Sequence, residues 1–211
     1  MLRTTDREEV KARSEQILQA RGVAINPNLP LLETDDELIV VPPGDVARRF
    51  LVVSQVIGVG FNAPRSQLVE YLHLHGLWED VSANERRMLT CSEPTEQDRI
   101  DASWLTEAAQ ALVWCLGRRE DDPWSPCDDD LVEEVPRPDD VEAFVASARL
   151  RHRAEIIATA DLYYRLHWAI RNARLYGTKP PASESIVRER RRALDWVLGT
   201  ESDWDEVPLD T

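Results

Sequence analysis

The sequence has 211 residues, 43% hydrophobic and 30% charged, which suits one globular domain that buries a core without help from metals or disulfides. A formal net charge of -14 argues against phosphate backbones as ligands and makes a basic protein the easier partner. Cys91, Cys115 and Cys127 form no CxxC pair, MLRTTDREEV carries no apolar leader, and the most apolar run, Phe50 to Phe61, is far shorter than a membrane helix; no membrane is expected, and the cytoplasm is the expected compartment.

In chain order, Thr5 to Arg21 spaces Val10, Ile17 and Leu18 as an amphipathic helix, with Gly22 placed to cap it. Asn26 to Pro30 read as a loop, and Leu38 to Val41 as at most a minor short strand, cut off by Pro42 and Pro43. Asp45 can cap a helix over 46–57, and Leu68, Tyr71 and Leu72 repeat helical spacing over 65–75 before Gly76. Ser82 and Glu85 stand at capping-box spacing, so that hydroxyl and carboxylate each satisfy a free backbone N–H at the start of a short helix. A strong helix is predicted over 102–116, stopped by Gly117.

Residues 118–140 hold ten acidic residues and four prolines, the composition of a solvated, mobile loop. Helix resumes near Asp139 or Asp140 and runs to Ala148. The segment 153–176 follows, carrying two apolar stripes, one through Ile156, Ala160, Tyr163, His167 and Ile170, the other through Leu162, Leu166, Ala169, Ala173 and Tyr176. Two stripes predict a helix covered on most sides, a central post for the others. A last helix begins near Ser183 or Ser185 and ends at Gly199, and 200–211 form an acidic tail with Trp204 as its apolar anchor. The expected fold is thus all-α: a single domain over 1–211, a bundle of about seven or eight helices around the long helix 153–176.

Two short patterns have plain readings. ALVWCLG at 111–117 and ALDWVLG at 193–199 share five of seven residues, but their flanks differ, so they read as two helices ending alike in a glycine cap and not as a duplication. Gly58, Gly60 and Ala63 satisfy GxGxxA after an apolar run, yet no second strand follows where a dinucleotide-binding sheet needs one; helix punctuation is the better account.

Metal, cofactor and nucleophile signals are weak. His152 and His167 are over 20 Å apart at about 1.5 Å per helical residue; His73 and His75 point in different directions; Asp128, Asp129 and Asp130 lack the glycine and bidentate glutamate of a calcium loop. Cys127 sits among carboxylates that disfavour its thiolate. No cofactor is expected. A line of polar residues between the two stripes, Asp161, Arg165 and Trp168 with His167 beside it, is the candidate cluster, with Glu189, Arg190 and Arg192 of the last helix as partners across a packed interface. Buried charges need partners, so the cluster reads first as a structural network; lining a pocket for an anionic or amide-bearing ligand is the functional alternative.

RSEQILQARG with Asn28-Leu29-Pro30 after it, HGLWEDVSANE, ADLYYRLHWA, RERRRALDWVLG and WDEVPLDT together resemble the bacterial family called domain of unknown function 4272. The stretches Tyr164 to Trp168 and Glu189 to Trp196 are the most specific. The resemblance implies a mostly helical fold and carries no activity, cofactor or partner with it. Two roles stay open: a non-catalytic binding protein with an acidic surface, including an immunity-type neutraliser, and a small-ligand binder or enzyme with its pocket at Asp161, Arg165 and His167. The sequence does not specify an oligomeric state.

Overall fold

A computed structural model describes residues 6–33 and 38–210. Thr5, where the first helix is expected to start, and Thr211 at the end of the tail lie outside the described residues. The fold is all-α, with eight α-helices and no strand among the described residues: α1 Arg7–Ala20, α2 Pro43–Gly60, α3 Arg65–Leu74, α4 Ala83–Thr90, α5 Glu96–Cys115, α6 Val141–Ser147, α7 Arg153–Leu175 and α8 Glu184–Val197.

Local chemistry sets the boundaries. Asp6 caps α1 by accepting from the Glu8 and Glu9 amides, and α2 starts on Pro43, whose fixed φ and missing N–H cost nothing in a first turn. The Ser82/Glu85 capping box opens α4 as expected. α5 starts six residues before the predicted position because Thr95 and Asp98 form a second capping box, with aspartate in the role of glutamate. The two ALxWxLG segments end in the same way: Gly117 and Gly199 take φ of 71° and 74°, their amides bond to Trp114 and Trp196, and the next amides bond to Val113 and Asp195.

The helices pack in a spatial series. α2 lies against α5, α5 against α8, α8 against α7 and α7 against α1, while α3, α4 and α6 cover α2. α7 is buried from Ile156 to Ala173 along most of its circumference, as its two stripes require. α5 shares the centre with it, and no residue from Glu107 to Leu116 is exposed.

The glycines of the GxGxxA pattern lie inside α2, not after a strand. A Cβ on Gly58 would lie 2.9 Å from the Leu68 side chain, and one on Gly60 would lie 2.7 Å from the Ser103 backbone nitrogen. They are close-packing positions where α2 meets α3 and α5. Leu38 to Val41 is extended without being a strand, held by a bond from the Val41 amide to the Val197 carbonyl.

Residues 118–140 are not a free loop. Two 3-10 turns, Asp129–Glu134 and Pro138–Asp140, shape an ordered ribbon that buries Pro123 and Leu131, and Trp124 lies beneath the Arg21 guanidinium, 3.8 Å from its ring centroid. The tail is docked too. Trp204 is 4% exposed, edge-on to Trp196 and flanked by Arg49 and Arg192; Asp205 accepts from the Ser82 hydroxyl and the Asn84 amide; Arg191 donates to the Asp210 carbonyl.

Candidate functional site

The Asp161–Arg165 pair on α7 is sealed, and the residues of the candidate cluster separate into different networks. Asp161 and Arg165 stand one turn apart, each 1% exposed, and meet in a bidentate ion pair with both N···O distances at 2.8 Å. A second carboxylate, Glu15 of α1, comes within 3.7 Å of the same guanidinium, and the Pro30 carbonyl accepts from it. This pair ties α7 to α1 and to the loop after it.

Arg190 belongs to a different hub. Its guanidinium bonds Glu107 of α5 at 2.6 and 2.8 Å, Asp121 of the acidic ribbon at 2.8 Å, the Asp122 and Ser125 carbonyls, and the Tyr163 hydroxyl. Tyr163 in turn donates to Asp121 at 2.6 Å. Burial pushes the Tyr163 phenol well above its ordinary value and raises Asp121 as well, against the pull of Arg190.

His167 pairs with neither group. Its Nδ1 accepts from Arg191 at 2.9 Å, and Arg191 reaches on to Asp195, one turn further along α8, at 3.1 Å. Burial, reinforced by Arg191, Arg171 and Arg188, holds the His167 imidazole down at about 4, so it is neutral at pH 7; burial lifts the Asp195 carboxyl to about 6, against the attraction of Arg191. Arg191 and Asp195, with Tyr164, form the polar floor of a cleft of about 310 Å³ walled by Pro30, Leu32 and Leu198. Trp168 is half-buried against the core and joins no polar network among the described residues.

Glu189 faces the other way, toward α4 and the tail, between Arg188 and Arg192 on its own helix. The packed interface therefore exists, but it holds three networks and not one cluster. Sequence reasoning missed Glu107, Asp121, Arg191 and Asp195. Arg191 and Asp195 carry the same one-turn acid–base signal as Asp161 and Arg165. Glu107 shows only as the single charge of the predicted helix 102–116, and Asp121 is indistinguishable from its acidic neighbours.

Among the described residues no three His, Cys, Asp or Glu side chains converge as metal ligands. Cys127 is no activated nucleophile: burial and Glu107 push its thiol up to about 11.

The fold and its interior define an all-α protein in which the buried arginines Arg49, Arg165, Arg190 and Arg191 are each matched by a buried carboxylate. The family model described as Domain of unknown function (DUF4272) matches residues 10–207, and the chain belongs to that family. No curated protein and no solved structure matches it.

Proposed function

We propose that the protein is a non-catalytic, cytoplasmic binding protein that engages a basic partner through its acidic ribbon. The observation that carries this reading is the ribbon itself. Asp129, Glu133, Asp139, Asp140 and Glu142 are exposed and without an ion pair among the described residues, and Val132, between the first two in sequence, is 70% exposed. An exposed apolar residue and unpaired carboxylates on an ordered backbone suit a basic surface, because little ordering entropy remains to be lost on binding. The interior supports it as well: Arg49, Arg165, Arg190 and Arg191 are matched by Glu85, Asp161, Glu107 and Asp195, so most of the net charge of -14 is carried outside. An immunity-type neutraliser of a basic protein is one form of this role. Free Cys91, Cys115 and Cys127 suit a reducing compartment.

The test is capture from the native host at low and high salt with the wild type and with a triple variant, Asp129→Asn, Glu133→Gln and Asp139→Asn. Basic proteins should be retained by the wild type at low salt only and lost by the variant, since exposed charges are screened within about 8 Å at physiological ionic strength. Equal capture by the variant, or recovery of nucleic acid, would overturn the reading.

A further inference from the structure

On the side of α8 away from α7, a cavity of about 410 Å³ opens between α4, α5, α8 and the tail. That volume is at the small end of the range for ligand sites. Charges of both signs line it: Arg87, Arg188 and Arg192, against Asp101 and Glu189. Two further carboxylates at its edge are already committed, Glu85 to Arg49 and Asp205 to Ser82 and Asn84.

Glu189 is buried and holds the back wall in place. It accepts from Arg188 at 3.0 Å and lies 2.6 Å from Arg192, whose guanidinium is also 4.9 Å from the Trp204 ring centroid. The Glu189–Arg192 pair compensates charge without good alignment, because Glu189 Oε2 and Arg192 Nε and Nη2 have no hydrogen-bond partner among the described residues. Arg87 and Arg188 are about half exposed, at 55% and 52% of their side chains. Each spends only part of its five N–H donors, on Asp98 and Glu189 respectively. Asp101, also exposed, takes one bond from Gln97 and keeps acceptor capacity.

These groups discriminate between ligand classes. A simple oxyanion would meet Asp101 and Glu189, a simple cation would meet three guanidiniums, and an apolar molecule would strip water from both sets without replacing the lost bonds. A molecule carrying both a carboxylate and an ammonium group satisfies both. We propose that this cavity binds a small zwitterion of the amino-acid or dipeptide class, with its carboxylate on Arg87 and Arg188 and its ammonium on Asp101. The inference does not depend on the acidic ribbon, which lies on other elements.

Saturation-transfer NMR on the full chain, with the common free amino acids and a set of unblocked dipeptides as probes, tests it. At least one probe should bind saturably, and its N-acetyl and C-amide derivatives should each bind about tenfold more weakly or worse. Arg188→Gln and Asp101→Asn should weaken the same probe by a similar factor, and unchanged melting temperatures will exclude misfolding as the cause. The proposal is overturned if no probe binds, if the blocked derivatives bind as well as their parent, or if neither substitution alters the affinity.

Discussion

Asp161 and Arg165 are closed off from water, so each charge depends on the other for its stability. Asp161→Asn removes the bidentate acceptor and leaves a guanidinium with only Glu15 at 3.7 Å and one carbonyl. Breaking a buried pair by removing one partner costs about 3 kcal/mol or more, and thermal denaturation of the variant beside the wild type should show a loss of that size. A variant as stable as its parent would reopen the functional reading of this pair. His167 supplies a pH signature. Its imidazole titrates near 4 in the fold against 6.5 in a free chain, so on acidification the unfolded state takes up a proton that the folded state refuses. The stability from a neutral His167 is therefore complete above 6.5 and disappears as pH falls toward 4. Asp195 acts in the opposite sense: its folded value of about 6, against 3.8, gives a contribution complete below 3.8 and lost as pH rises through 6. Urea denaturation at pH 7 and at about 4.5 should show the wild type losing stability on acidification relative to His167→Gln. Identical profiles in the two proteins would rule the assignment out.

At the level of the element, Gly60 decides how closely α2 and α5 approach. An alanine there gains helix propensity but drives its Cβ to within 2.7 Å of the Ser103 backbone nitrogen and 2.9 Å of the Arg99 carbonyl oxygen. Backbone atoms cannot swing aside as a side chain would. Gly60→Ala should therefore destabilise the protein by about 1–3 kcal/mol. Gly22→Ala is the control: nothing lies within 4 Å of its Cβ, and the only penalty is the left-handed backbone at φ 70°, about 1 kcal/mol. Chemical denaturation of both variants separates helix contact from backbone conformation, and a Gly60 variant no less stable than the Gly22 variant would contradict the packing account. The same contact shows what a sequence pattern conceals. GxGxxA names glycines but not their surroundings; the absence of a following strand was legible, whereas the surfaces that require Gly58 and Gly60 come from residues 68 and 99–103, on helices that only the fold brings near.

For the molecule as a whole, the helical class and the long buried helix could be read from period and caps, and the anchoring of Trp204 from a large apolar ring in an acidic tail, because those signals are local. The order of packing could not, because it depends on which stripe meets which. The candidate cluster was legible where its pairs lie one turn apart, as at Asp161 and Arg165, and illegible where partners come from distant segments, as with Glu107, Asp121 and Arg190. Charge composition identified 118–140 as acidic but not as ordered, since Pro123 and Leu131 are single apolar anchors among carboxylates.

The Arg190 hub also governs the timing of folding during synthesis. A chain leaving the ribosome delivers Glu107 first, then Asp121, then Tyr163, and only at the end the guanidinium that satisfies all three. α1 waits in the same way, since its seat on α7 is made long after it. α2 to α5 can associate early, as neighbours in sequence, while α7 and the acidic ribbon have to wait for α8. Until α8 arrives the carboxylates of the hub, Glu107 and Asp121, are without their guanidinium, and the acidic excess of the chain makes such unfinished molecules mutually repulsive.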